Sequence, residues 1–412
     1  ILSECTNFHS MMEGHLVKAE NLEGQMEQYQ RLLHKDIIPS AISAYQHKKG
    51  DGWTQINGIL SFFGTTMWMA TVKVVFGLDS LANAENFNLS LDFDARFLAL
   101  YNQTNKHKQK LLFSKQVQAR EELVKRLMDI LPVERGSERK FSGFTDGINK
   151  LYQGRIDHED LARFHLLMLM ASMFNAVPTT FWVIFHLLAD PSAYDAVLKE
   201  VLHLKSKKRI SKDQRSQSTG EKGDVDVDNE QQPLLALDDF DQMPALDSLI
   251  TETLRLHSTN SMFRFRYVES DFDLKLPLGN MSKQFGVKKG DYAVVPVPLA
   301  HCDEDIFEDP MVFKWDRFIP DKSTGKPPIF RKRGVQLLRP VHAFGGGPTI
   351  CPGRKYAVAE IKALVASMLT EYDMRFVEGK VPDPPSLLDN GYLVNFGMPA
   401  DDVAFEVSPR GK

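Results

Sequence analysis

AFGGGPTICPGRKYAVAEIKALVASMLTEY, residues 343–372, is the stretch on which the fold turns. Its centre is Cys351, with three consecutive glycines (345–347) upstream and Pro352 directly behind. Pro352 suits the first turn of a helix, where a missing N–H leaves no bond unmade. Ile361, Leu364, Val365, Met368 and Leu369 then keep the spacing of one buried helical face. Cys351 is therefore expected at a helix N-terminus, where the dipole and unpaired N–H groups stabilise a thiolate. The glycines remove side chains that would hold the backbone away from something flat and large.

A thiol so placed can be a nucleophile, a metal ligand or an inert buried group. Glycines, proline and helix agree on one geometry, and that agreement favours a ligand. A phosphate loop in its usual form is excluded, because GGGP is not followed by Gly-Lys-Ser/Thr. No local signature supplies the His and Asn of a cysteine protease.

FGGGPTICPGR resembles the haem-binding signature of the cytochrome P450 superfamily, with Phe344, Gly345, Gly347, Cys351 and Gly353 at its positions. The resemblance implies that Cys351 is the axial thiolate of haem b, whose electron donation favours O–O cleavage. Phe344 would pack near the sulfur. The signature often has a basic residue two before the cysteine for a haem propionate; here Thr349 stands there, so one contact is missing or moved. Arg266 in FRFRYV is the expected propionate partner, with Arg264 on the same strand face.

Working further upstream, TETLRL places Glu252 and Arg255 three apart in a helical pattern over 242–257. On a surface such a pair contributes only a few tenths of a kcal/mol. Ile250, Leu254 and Leu256 argue for burial, and a buried pair wants a further partner. By resemblance Arg317 in FKWDRF completes the superfamily's Glu-Arg-Arg triad, a structural clamp between helix and thiolate loop. HCDED (301–305) looks like a ligand cluster, but adjacent loop residues rarely converge on one ion, so it reads as surface loop.

A run of 26 residues without Asp, Glu, Lys or Arg (164–189) predicts one long core helix over 156–189. In the superfamily this helix crosses the distal haem face and carries an acid–alcohol pair for proton delivery. Here Phe174-Asn175-Ala176-Val177-Pro178-Thr179 stands instead, with Val177 and Pro178 at the acid and alcohol positions. That pattern is similar to the subgroup holding cholesterol and oxysterol 7α-hydroxylases, sterol 12α-hydroxylase and prostacyclin synthase. Asn175 is then the expected catalytic polar group, with Thr179 behind it. Asn260 and Met262, within 258–263, and Val394 and Asn395, within 391–396, would line a pocket for a large hydroxylated lipid.

The resemblance implies a sterol or oxysterol monooxygenase using O2 and electrons from NADPH through cytochrome P450 reductase. The alternative within the subgroup is an endoperoxide isomerase, which needs no electrons. A rival of another class is a non-catalytic membrane or interaction protein using its uncharged runs as spans. Arg331, Lys332, Arg333, Arg354 and Lys355 could present a proximal face to an acidic reductase.

Composition fits this frame. The chain has 412 residues, 43% hydrophobic and 25% charged, with a net charge of −4 that calls for no nucleic acid. Cys5, Cys302 and Cys351 are too few for a disulfide framework and fit a cytosol-facing protein. The uncharged stretches 52–72 and 164–189 contain glycines, threonines, Asn175 and Pro178, and read as core rather than membrane spans. Residues 206–233 are polar and read as a disordered surface insertion. The expected fold is mainly α with small antiparallel sheets, one haem domain over 1–412. The superfamily's membrane anchor and first sheet would precede residue 1, placing the whole protein on the cytosolic face of the endoplasmic reticulum.

Overall fold

The computed structural model describes residues 2–45, 52–131, 142–152, 154–219, 234–258, 263–278, 281–347, 350–388 and 396–411. Helices α1 (Leu2–Leu16) and α2 (Ala19–Leu32) lead through a π-helical turn (Leu33–Ile37) directly into α3 (Ile38–Ser43). Pro39 sits in the first turn of α3, where its missing N–H leaves no bond unmade. The wide π turn carries the chain across it.

Strand β1 (Thr54–Ile56) precedes α4 (Ile59–Thr71), whose N-terminus is capped from the far end of the chain. Asp402 Oδ1 accepts from the Leu60 N–H (2.7 Å) and Oδ2 from the Ser61 N–H (2.9 Å). Gly58 makes this possible: a Cβ there would lie 1.9 Å from Asp402 Oδ2. After a second π turn (Val72–Phe76) come α5 (Ala84–Asp94), α6 (Phe97–Asn102), α7 (Lys106–Leu112), α8 (Ser114–Ile130) and α9 (Gly143–Tyr152). The predicted amphipathic face of α8 is buried through Val117, Leu123 and Leu127.

The single helix predicted over 156–189 is two, α10 (His158–Met173) and α11 (Ala176–Ala189). Pro178 has no N–H for the Phe174 carbonyl, and its ring would collide with that oxygen, so the break falls at Phe174–Asn175. Ile59–Phe76 and His158–Ala189 are long and apolar enough to cross a membrane, yet 72% of each apolar window is buried against the rest of the chain. Trp68, Phe63, Phe181 and Trp182 belong to the hydrophobic core, and α4 packs against α11.

The polar stretch from 206 needs correction. Helix α12 (Pro191–Thr219) continues through 206–219 instead of dissolving into a loop. Val197, Val201 and Leu204 are buried and anchor its first half, and extending an existing helix over Lys, Arg and Gln costs little. Residues 220–233 lie outside the described residues.

Next come α13 (Leu237–Phe240) and α14 (Pro244–His257), then strands β2 (Phe263–Tyr267), β3 (Phe272–Leu278), β4 (Met281–Val287) and β5 (Tyr292–Pro296). Strand β5 stops at Pro296, where α15 (Val297–His301) begins. Strands β6 (Phe330–Lys332) and β7 (Val335–Leu337), helix α16 (Arg354–Glu371) and strands β8 (Tyr372–Phe376) and β9 (Phe405–Pro409) complete the chain. The pairings β2–β5, β3–β4, β6–β7 and β1–β9–β8 are all antiparallel. Strand β8 therefore pairs with 405–409, and the partner predicted at 392–397 lies mostly outside the described residues.

From Ala359 to Leu369 helix α16 is buried on every side and not along one face; even Glu360 and Lys362 are covered. Lys362 Nζ donates to the Phe240 carbonyl (2.7 Å) and pairs with Asp247 (2.6 Å). Glu360 accepts from Thr71 Oγ1 (2.8 Å), and burial pushes its carboxyl up to about 8. His34 of the first π turn bridges Glu371 Oε1 (2.5 Å) and Ser367 Oγ (3.2 Å), tying it to α16. The fold thus holds the helix behind Cys351 from all directions.

Candidate functional site

Cys351 lies just ahead of α16, whose N-cap is Gly353 and whose first residue is Arg354. Pro352 therefore belongs to the turn before the helix, not to its first turn. The loop closes on itself: the Cys351 N–H donates to the Phe344 carbonyl (2.9 Å) and the Gly345 N–H to the His342 carbonyl (2.9 Å). Gly345 (φ 75°) and Gly347 (φ 63°) adopt the left-handed conformation that only glycine enters without strain. The Cys351 carbonyl accepts from Arg354 Nη1 (3.0 Å), and the half-buried thiol forms no disulfide. Phe344 is half-buried in the same loop.

Arg266, on β2, donates through Nη2 to the Gly346 carbonyl (3.1 Å). It is exposed and touches the glycine loop, where a propionate-binding cation is expected to stand. Thr349 and the side chain of Arg264 lie outside the described residues.

The predicted triad is assembled and buried. Glu252 takes Arg255 Nε on Oε2 and Nη2 on Oε1, each at 2.8 Å, a bidentate fork. Arg317 Nε reaches both oxygens (3.0 and 3.1 Å), and the Lys314 N–H adds a bond at 3.1 Å. Arg255 Nη1 holds the carbonyls of His301 and Pro310 (both 2.7 Å). Arg317 holds those of Glu308 (2.6 Å), Asp309 (3.3 Å) and Val312 (3.0 Å). Both guanidiniums also stand over the buried Phe307 ring, at 5.0 and 6.0 Å. A buried charge cluster is tolerable only when its polar atoms are satisfied, and here one carboxylate staples three chain segments.

HCDED is a surface loop at Glu304 and Asp305, which are exposed, but not at its first residue. His301 is wholly buried, with Nδ1 at 3.0 Å from the Arg255 carbonyl and Nε2 accepting from the His342 N–H (2.8 Å). Asp303 and Asp305 pair with Lys332, which takes that cation from the row of basic residues predicted for a partner surface.

Asn175 stands exposed at the break between α10 and α11. Its Oδ1 accepts from the Phe396 N–H (3.3 Å). Thr179 is buried, and its hydroxyl is committed to the Asn175 carbonyl (2.6 Å). The structure thus brings Asn175 and Thr179 together but leaves only Asn175 facing outward. Asn260, Met262, Val394 and Asn395 lie outside the described residues.

Sequence reasoning missed the groups that pin this wall. Trp182 Nε1 donates to the Gly397 carbonyl (2.7 Å), and the Gly397 N–H to the His257 carbonyl (3.1 Å). His257 stacks on Trp182 (3.9 Å between centroids) and shares a hydrogen bond with His186 (2.8 Å). Burial lowers the His186 imidazole to about 3 and His257 well below its ordinary value, so the pair stays neutral. The i,i+4 spacing of Trp182 and His186 on one apolar helix was the available signal. Beyond the break, a pocket of about 310 Å³ is lined by Phe93, Phe97, Leu100, Val124, Leu166 and Leu167, with Arg120 and Arg163 at its wall. Phe97 in turn meets Phe174 edge-on (5.6 Å).

The donor set fits a macrocycle-bound metal. Among the described residues no three His, Cys, Asp or Glu side chains converge on one point, so a metal held by the Cys351 sulfur would bring its remaining donors with its own ligand. A Cβ at Gly346 or Gly347 would meet nothing within 4 Å, the clearance that a flat group beside the loop requires.

Comparison with known proteins follows the same line. The family model described as cytochrome P450 matches residues 77–396. Cytochrome P450 7A1 of Oryctolagus cuniculus is 33% identical over 253 residues, 61% of this chain and 46% of that protein. Cholesterol 7-alpha-monooxygenase of Cricetulus griseus is 29% identical over 404 residues, covering 93% and 71%. The 7-alpha-hydroxycholest-4-en-3-one 12-alpha-hydroxylase of Homo sapiens is 32% identical over 246 residues, covering 59% and 44%. The matched part is thus about half the length of several of these relatives.

Proposed function

The chain belongs to the cytochrome P450 family, and from that premise we propose that it is the main part of one haem-thiolate domain whose parent protein hydroxylates a sterol or a similar large lipid. The observation that carries this reading is the closed loop around Cys351, fastened to the buried Glu252–Arg255–Arg317 clamp. Cys351 would ligate the haem b iron, with Phe344, Gly345, Gly347 and Gly353 shaping the loop and Arg266 facing a propionate. When bound, the haem supplies oxygen activation with thiolate donation.

The residues of this chain bind, orient and exclude. Asn175 Oδ1 is engaged by Phe396, which leaves Nδ2 to hold a water or a substrate hydroxyl. Thr179 acts through Asn175, since its own hydroxyl is bound to that residue's carbonyl. The apolar pocket behind Phe97 suits the hydrocarbon of a large lipid. The relatives named for sterol 7α- and 12α-hydroxylation support this substrate class. Arg331, Arg333, Arg354 and Lys355 form the proposed face for NADPH–cytochrome P450 reductase, at the cytosolic side of the endoplasmic reticulum.

The test is haem incorporation and turnover. The full-length protein, reduced and treated with carbon monoxide, is expected to give the red-shifted Soret band of thiolate ligation. With reductase and NADPH it is expected to hydroxylate cholesterol or 7α-hydroxycholest-4-en-3-one. Turnover of a prostaglandin endoperoxide without reductase, and no sterol product, would replace hydroxylation by isomerisation. Failure to take up haem would reject both.

A further inference from the structure

His301 lies between two structures already described, the charge clamp and the thiolate loop. It closes α15, is wholly buried, and belongs to the acid-rich HCDED segment. Its Nε2 lies 2.8 Å from the backbone nitrogen of His342. A backbone N–H can only donate, so Nε2 must be the unprotonated nitrogen. The proton is then on Nδ1, which donates to the Arg255 carbonyl at 3.0 Å. One neutral tautomer satisfies both ring nitrogens. Arg255 answers in the other direction, its Nη1 donating to the His301 carbonyl at 2.7 Å.

These bonds form an unbroken series. Glu252 holds Arg255 by two bonds, and Arg255 and His301 hold each other. His301 holds the His342 amide. The His342 carbonyl takes the Gly345 N–H, and the Phe344 carbonyl takes the Cys351 N–H. Resting on the haem-thiolate reading above, we infer that His301 is a positioning residue: it transmits the Glu252–Arg255–Arg317 clamp to the loop that presents the Cys351 sulfur. The clamp's cations reach the carbonyls of 301 and of 308–312; among the described residues the His301 ring extends this series to the His342 amide.

The two ring nitrogens can be removed separately. In His301→Gln the side-chain oxygen falls near the place of Nε2 and accepts from the His342 N–H, while the bond to Arg255 is lost. In His301→Asn the amide nitrogen falls near the place of Nδ1 and keeps the bond to Arg255, while the loop bond is lost. Hydrogen exchange of the His342 amide is read first in the wild type, where it is expected to be as protected as the amides of α14. In His301→Asn it is expected to exchange on the order of tenfold faster, and in His301→Gln to stay near wild type. The ferrous carbonyl spectrum of the holoprotein is expected to move toward the blue-shifted, thiolate-lost form in His301→Asn and to hold in His301→Gln.

Melting temperature separates this from a merely structural role. Both variants lose one buried bond and are expected to fall by similar amounts, whereas exchange and spectrum divide them. If the wild-type His342 amide exchanges like an exposed loop, the link does not exist and the inference falls. If both folded variants share one spectrum and one exchange rate, His301 packs but does not position. A wild type that binds no haem overturns the functional reading, while the exchange measurements still decide the link.

Discussion

The two faces of the candidate site are built on opposite principles. In the clamp behind Cys351 the polar groups are paired: Glu252, Arg255 and His301 are wholly buried and bonded on several sides. At the break between α10 and α11, Asn175 is exposed and its side-chain oxygen holds the Phe396 N–H at 3.3 Å. Buried networks are costly to leave half-satisfied, so the proximal face has one arrangement or none. The distal face can be altered piece by piece.

Cys351→Ser gives the largest expected effect and tests the fixed side: the thiolate Soret band of the ferrous carbonyl form disappears entirely, with the fold retained by circular dichroism. A Cys351→Ser protein that kept the band would remove the sulfur from the site. Removing one partner of the clamp comes next. Arg255→Leu leaves the buried Glu252 carboxylate to Arg317 and the Lys314 N–H and should cost about 3–5 kcal/mol in urea unfolding, if soluble protein is recovered at all. A loss below about 1 kcal/mol would show that the clamp is no more than a surface pair.

Glu360 sharpens the comparison within the proximal half. Its folded-state value, about 8, lies above the ordinary 4.5, so the native state keeps a proton that the unfolded chain releases. Its contribution is fully present below about 4.5 and is lost as pH rises toward 8. Glu360→Gln retains an acceptor for Thr71 and should flatten that decline, whose slope is up to about 1.4 kcal/mol per pH unit. Parallel stability curves for variant and wild type across this window would refute the assignment.

The smallest effect is expected on the distal side. Thr179→Val removes a hydroxyl bonded only locally within its helix and should cost about 1 kcal/mol or less, leaving the solvent isotope effect on turnover unchanged. Asn175→Ala should instead alter the substrate-induced spin-state change. If Thr179→Val raises the isotope effect and Asn175→Ala is silent, the two roles are reversed.

What could be read from sequence divides along the same line. The Cys351 loop and Glu252–Arg255 are legible because each is a short local pattern with one geometric solution. Arg317 needed the family resemblance, since nothing local relates it to Glu252. His301 was misread because three acids beside it imitate a solvated loop, while its partners are backbone groups of 255 and 342 that no side-chain pattern encodes. Strand β9 was missed because its stability comes from β1 and β8, both distant in sequence. The break at Phe174–Asn175 followed from Pro178 alone, yet the apolar run around it masked the stop. The tail of α12 was misjudged from composition, which reports burial and not the helix propagated from Val197–Leu204.

Helix α4 receives its cap from Asp402, 342 residues downstream of Leu60. The same late segment brings Phe405 against Phe62 and Phe63, at 5.7 and 5.5 Å between ring centres. Translation at 5–20 residues per second separates these partners by roughly 20–70 s. During that interval α4 is already synthesised, while the acceptor for its first amides and the aromatic lid for its phenylalanines do not yet exist. Those phenylalanines are then candidates for chaperone binding on the ribosome until the segment from Asp402 to Phe405 arrives.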